Sequence, residues 1–176
     1  QTRVCGDDLL YVDHATGLFD TQTFHRGWFF AQGPGAACVV DLLNLTPGLS
    51  FLDLCSSPGG KLCAAAARLG PAPDVLAVDR SVERTSLLRS NLERLGLRIK
   101  TLAAEARSLP VHCLFDRVLV DAPCSGLGTI GRHPEIRWHR TEADLLLLPP
   151  IQRAILTAGA DRVTPGGLLV YSTCTT

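Results

Sequence analysis

The stretch Phe51-Leu-Asp-Leu-Cys-Ser-Ser-Pro-Gly-Gly-Lys61 decides how this chain folds. Phe51 to Leu54 is a short apolar run that reads as a buried strand, Ser56 to Gly60 is a turn, and Leu62 to Leu69 is an alanine-rich helix. The same alternation continues outward. Val75 to Val78 gives a second strand ending in Asp79, and Ser81 then caps a helix that runs to about Leu95 with Leu87, Leu88, Leu92 and Leu95 at helical spacing. Gly96 closes it. Further strands are predicted at Ile99 to Leu102, Arg117 to Val120 and Leu168 to Ser172. A helix is predicted from Thr141 to Arg162, interrupted at Pro149-Pro150. Strands that alternate with helices predict an α/β fold with a doubly wound, mostly parallel sheet.

Upstream, Gly27 to Gln32 is an aromatic strand or loop, and an apolar helix-like run extends from Ala36 to Leu45. Residues 1–25 mix turn residues with short apolar patches such as Leu9 to Val12, and read as the end of an upstream RNA-binding or linker region. Residues 26–176 form the expected domain. The chain begins with Gln1 and contains no Met, which suggests a fragment, and the sheet's carboxyl-terminal strands are expected to be missing.

Composition narrows the class. Hydrophobic residues make up 46% of the 176 and charged residues 19%, which excludes a disordered chain. The seven cysteines contain no C-x-x-C pair, so free thiols are expected rather than a disulfide framework or zinc ribbon, and no metal is expected. No apolar run reaches the length of a membrane span. A cytoplasmic, monomeric protein is expected. Lys plus Arg and Asp plus Glu both number 17, which argues against a strong non-specific grip on nucleic acid but leaves room for a local basic face.

The chemistry concentrates at strand ends. Asp121-Ala-Pro-Cys-Ser-Gly126 follows the strand ending at Val120, and Tyr171-Ser-Thr-Cys174 follows the one beginning at Leu168. Carboxyl ends of neighbouring parallel strands share one edge, where ligands bind in such sheets, so Cys124 and Cys174 can face a common cleft. Each thiol alone reads better as a small buried hydrophobe. Two thiols with Asp121 and Lys61 suit nucleophilic attack and proton transfer. The turn from Cys55 to Lys61 lets a ligand approach backbone and a helix amino terminus, without the spacing of a phosphate-binding loop. Asp79, at the next strand end, matches the place of a ribose-binding carboxylate. Arg132-His-Pro-Glu-Ile-Arg-Trp-His-Arg140 sets basic residues around an aromatic, a pattern shared by solvated loops and RNA-contacting segments.

Taken together, the motifs Asp53 to Lys61, Asp121 to Gly126, Arg132 to Trp138 and Tyr171 to Cys174 resemble the RsmB/Sun/NSUN family of RNA cytosine-C5 methyltransferases, and most closely its bacterial branch that modifies small-subunit ribosomal RNA. The resemblance implies a Rossmann-like fold that uses S-adenosylmethionine (SAM). It implies cofactor contacts from Cys55, Ser56, Ser57, Pro58, Gly59, Gly60 and Lys61, with Asp79 on the ribose and Arg84, Glu105 and Asp121 close by. Cys174 is implied as the nucleophile that attacks carbon 6 of cytosine. Cys124 then assists loss of the carbon 5 proton and product release, while Lys61 and Asp121 orient the base. Arg132, His133, Arg137 and Trp138 are implied RNA contacts. Four positions depart from the family pattern: Ser56-Ser57 replaces an alanine pair, Glu105 an aspartate, and Gly131 an arginine.

Three other readings compete. One is a catalytically idle RNA-binding or assembly module, which retention of both thiols, Asp121 and Lys61 disfavours. Another is a nicotinamide-dependent oxidoreductase, which the missing G-x-G-x-x-G disfavours. A DNA cytosine methyltransferase would not need Cys174.

Overall fold

In the computed structural model, the described residues are 2–4, 10–13, 16–131 and 133–175. Near the start, β1 (Thr2–Val4) and β2 (Leu10–Val12) pair antiparallel as a small separate ribbon. A single helical turn, α1 (Gln22–His25), capped by Thr21 Oγ1 accepting from the Phe24 N–H at 3.2 Å, leads into an extended segment over 27–32. This segment is a loop rather than a strand. Helix α2 (Pro34–Asp41) follows, with Pro34 at its first position, where no N–H partner is required.

The main sheet has five parallel strands in the order β5-β4-β3-β6-β7. They are β3 (Phe51–Asp53), β4 (Val75–Asp79), β5 (Lys100–Ala103), β6 (Phe115–Asp121) and β7 (Val163–Ser172). Alternation along the strands supplies two cores. Phe51 and Leu119 point to one face and pack with Leu62, Ala65, Leu88 and Val40 from α3 (Gly60–Leu69), α4 (Val82–Arg94) and α2. Leu52, Val118 and Val120 point to the other face and pack with Ala106, Leu109 and Ile155, the last from α6 (Glu142–Ala160). Phe51, Leu52 and Leu119 are fully buried, and each contributes roughly 1.5–3 kcal/mol by leaving water. Both faces of the sheet are covered, as the unbroken apolar runs require. The short helix α5 (Ile136–His139) lies in the connection between β6 and α6.

Three sequence expectations need correction. The helix containing Pro149 and Pro150 is continuous from Glu142 to Ala160. The two prolines remove the N–H donors that would meet the Leu145 and Leu146 carbonyls, and both leucines sit on an exposed stretch where water can take those acceptors. Strand β7 begins at Val163 rather than Leu168. Its ladder pairs Phe115 with Val163 and Arg117 with Leu168, and this irregularity accommodates Pro165, Gly166 and Gly167 between the two pairs. The helix expected from Ala36 to Leu45 stops at Asp41.

Candidate active site

Three strand ends build the site. At β3, Asp53 runs into a tight loop fixed from inside: Ser56 Oγ donates to the Asp53 carbonyl at 2.8 Å and accepts from the Val78 N–H at 3.2 Å. Ser57 Oγ donates to the Arg84 carbonyl at 2.9 Å, so the two hydroxyls tie the loop to β3, β4 and α4. Gly59 caps α3 with φ +108°, and a Cβ there would lie 2.7 Å from Leu88 Cδ1, so only glycine makes this turn against α4.

At β4, the buried Asp79 accepts from the Ser81 N–H at 3.1 Å and the Ser57 N–H at 3.3 Å, and its carboxylate lies 3.4 Å from Arg84 Nε. Arg84 also donates through Nη2 to the Ser57 carbonyl at 2.7 Å. The predicted ribose ligand and its arginine neighbour thus brace the loop from 55 to 59.

At β6, both carboxylate oxygens of Asp121 are held. Lys61 Nζ donates to Oδ2 at 2.6 Å and Ser172 Oγ donates to Oδ1 at 2.6 Å. The β6–β7 register sets Asp121 beside Ser172, which carries the following loops together. Cys124 Sγ and Cys174 Sγ are 2.9 Å apart across fifty residues of sequence. The backbones are joined as well, because the Gly128 N–H donates to the Cys174 carbonyl at 2.9 Å and the Ala122 N–H to the Ser172 carbonyl at 2.9 Å. Arg140 Nε and Gln152 Nε2 clamp the loop from behind, donating to the carbonyls of Ser125 at 2.8 Å and Pro123 at 2.9 Å.

Burial shapes the electrostatics. Asp53, fully enclosed, is pushed up to about 7, first by desolvation and then by repulsion from Asp121. Cys55 is pushed up to about 12 by burial and surrounding carboxylates, and behaves as a neutral cradle wall. Cys174 is pushed up to about 11 by desolvation and by its contact with Cys124, so the resting nucleophile candidate is a thiol. Among the described residues no cluster of His, Cys, Asp or Glu could hold a metal ion.

A cleft of about 200 Å³ lies between the loop from 55 to 61, Asp53, Asp121 and the segment Phe30 to Gln32. Gln32 Oε1 is buried there without a donor, and a Cβ on Gly60 would sit 3.6 Å from it. An unsatisfied buried acceptor calls for a donor from a ligand. Beside a helix amino terminus, the pair suits an amino-acid zwitterion, accepting from its ammonium and receiving its carboxylate. The residues present therefore fit the methionine portion of SAM.

Gln32 and Ser172 were missed from sequence. The only signal for Gln32 is a lone amide that ends an aromatic run just before Gly33. Ser172 becomes visible once β7 is paired with β6. Of the predicted cofactor residues, Cys55 to Ser57, Pro58, Gly60, Lys61 and Asp121 line this cleft. Gly59, Asp79, Arg84 and Glu105 do not, and the Glu105 carboxylate is engaged by Arg107 at 3.0 Å, a contact that holds it below the usual carboxylate range. His133, Arg137 and Trp138 lie together on and beside α5, all exposed, with Trp138 85% exposed. Arg132 lies outside the described residues.

A family model described as 16S rRNA methyltransferase RsmB/F matches residues 40–176. The chain belongs to this family. Ribosomal RNA small subunit methyltransferase B of Salmonella dublin is 42% identical over 154 residues, covering 86% of this chain and 36% of that protein. Among solved structures, NSun6 from Pyrococcus horikoshii, solved with SFG, superposes with a TM-score of 0.83 at 31% identity over 90% of this chain and 41% of its own. A methyltransferase homologue from the same organism gives 0.76 at 31%, over 89% and 50%. The fold is the Rossmann-like one of SAM-dependent methyltransferases, and SAM is the family's cofactor. The chain spans about a third of the length of the curated relatives it matches.

Proposed function

We propose that this chain is the methyl-transferring core, residues 26–176, of an enzyme that methylates carbon 5 of a cytosine in small-subunit ribosomal RNA in the cytoplasm. Residues 1–25 join that core to an upstream RNA-binding region. The observation that carries the reading is the meeting of Cys124 and Cys174 at 2.9 Å beside the Lys61–Asp121 pair.

SAM, when bound, supplies an electrophilic methyl group. Carbon 5 of cytosine is too weak a nucleophile to take it unaided. Cys174 Sγ, its proton passing to ring nitrogen 3 of the base, forms a bond to carbon 6, which pushes electron density onto carbon 5 and splits one hard step into two easier ones. Asp121 accepts a hydrogen bond from the exocyclic amine and Lys61 fixes the carboxylate, so the ring is held in register for attack. After methylation, carbon 5 carries both the methyl group and a proton. Cys124 assists removal of that proton to solvent, the electron pair reforms the 5,6 double bond, and Cys174 leaves as thiolate and takes back the proton from nitrogen 3. The base enters unstacked, at a cost of a few kcal/mol that an unpaired loop avoids. Trp138, with Arg132, His133 and Arg137, contacts the RNA beside the flipped base, and Asp79, Arg84 and Glu105 shape the nucleoside side of the cofactor site.

Labelled methyl transfer to small-subunit RNA by the full-length protein tests this reading. Cys174→Ala is expected to abolish both methylation and covalent adduct. Cys124→Ala is expected to trap a protein–RNA adduct that survives denaturation. An adduct that needs Cys124 and tolerates loss of Cys174 would reverse the two roles. Full-length protein that binds RNA and SAM yet transfers no methyl group would favour the idle module.

A further inference from the structure

A second cleft, about 670 Å³, lies away from both thiols, between α6 and the helical turn Ala106–Ser108 that follows β5. Three guanidinium-bearing residues line it: Arg107, Arg153 and Arg162, with Asp161 as the single acidic residue. The set is net positive by two, from three arginines less one aspartate, in a chain whose overall charge is zero.

The arginines are not consumed by the fold. Arg162 Nε is buried with no hydrogen-bond partner, and its Nη1 reaches only the neighbouring Asp161 carbonyl at 3.4 Å. Arg153 is exposed and engages no acceptor among the described residues. Arg107 shares one Nη2 contact with Glu105 at 3.0 Å and keeps its remaining donors. Nine positions separate Arg153 from Arg162, about 14 Å at 1.5 Å per residue. That span suits several charges strung along a chain better than a single small anion. The Pro149 and Pro150 rings give one end an apolar wall without N–H groups, against which a sugar or base can rest.

Topology ties this cleft to the active edge. The turn from 106 to 108 follows the carboxyl end of β5, and α6 is bound to the catalytic loop through Gln152 and the Pro123 carbonyl at 2.9 Å. A strand leaving the active edge can therefore run down α6. We propose that this cleft binds the phosphodiester backbone of the substrate RNA at a second place, separate from the segment around Trp138. The inference rests on the RNA reading above. Phosphate contacts of this kind set register and affinity without reading sequence.

The test measures affinity of the full-length protein for a small-subunit RNA transcript across roughly 50 to 200 mM salt. Arg153 is the residue to change, because it is exposed on a helix and glutamine is a good helix former, and thermal melting confirms the fold. Arg153→Gln is expected to weaken binding about three- to tenfold and to lower the slope of log K against log salt by about 0.7 to 0.9, the loss of one phosphate contact. Arg153→Glu weakens binding further, and Arg153→Lys restores most of the slope. Unchanged affinity and slope in Arg153→Glu, while wild type binds and methylates the RNA, overturns the cleft assignment alone and leaves an acidic protein segment as its occupant. Wild-type protein that neither binds nor methylates the RNA overturns the underlying function, with no variant required.

Discussion

Replacing Gly128 with alanine tests whether the position of Cys174 is set by its backbone contact with the opposing loop. A Cβ on Gly128 would stand 2.6 Å from the Cys174 carbonyl oxygen and 3.2 Å from its carbon. Ordinary contact begins near 3.4 Å, so the two loops must part by about 0.8 Å, the difference between those distances. The hydrogen bond from the Gly128 N–H, now 2.9 Å, lengthens past a useful range with it. Neither atom is a flexible side-chain end, so the backbone carrying Cys174 has to move. Misplacement of a reacting group by about 1 Å costs on the order of a hundredfold in rate, and overpacking typically costs about 1–3 kcal/mol of stability. Gly131→Ala is the matched control: the same change, three residues on, with open space around its Cβ. Single-turnover methyl transfer by the full-length protein should fall ten- to a hundredfold for Gly128→Ala and stay within about twofold for Gly131→Ala. In a Cys124→Ala background, the denaturation-resistant adduct should form correspondingly slowly. If Gly128→Ala transfers methyl groups at the control rate, the contact does not position the nucleophile.

Two further outcomes are expected. Asp53 keeps its proton up to about 7 in the fold but only to 3.8 when unfolded, so between those values the folded state binds more protons and stability falls as pH rises, by at most about 4 kcal/mol. Asp53→Asn removes that slope, so urea unfolding should show the variant gaining on wild type between pH 5 and pH 8, and parallel profiles would refute the shift. Gly131→Arg restores the family's arginine at an open position and should tighten RNA binding while steepening its salt slope by about 0.7 to 0.9, as read by filter binding.

Much of this was legible because parallel sheets put chemistry at one edge. Alternating strands and helices predicted the order of elements, and adjacency of strand ends predicted that Cys124 and Cys174 would meet. What periodicity could not give was the behaviour of residues whose local preference is overruled. Pro149 and Pro150 read as a break, yet the helix passes through them because Ile155 and its neighbours on the next turns anchor it to the sheet and the lost donors face outward. The last strand, predicted to begin at Leu168, begins at Val163, because Pro165, Gly166 and Gly167 are tolerated at an irregularity in its ladder. Gln32 was invisible for a different reason. Its significance is a missing partner, and a missing partner appears only when everything around it is placed.

The charge states of the site bear on how its nucleophile is released. Asp53 is pushed up to about 7 largely by burial, with Asp121 beside it adding to the effect, and Asp121 Oδ2 is paired with Lys61 Nζ at 2.6 Å. That arrangement leaves Lys61 matched and offers no spare cation to lower the Cys174 thiol, which burial and Cys124 push up to about 11. At neutral pH only about one molecule in ten thousand then holds a Cys174 thiolate. Two thiolates 2.9 Å apart would repel strongly, so the resting pair keeps at least one proton and the contact restrains both. Alkylation of Cys174 by a neutral thiol reagent should accordingly be faster in Cys124→Ala than in the wild-type protein, both measured without RNA. An equal rate in the two proteins would show that Cys124 does not restrain Cys174.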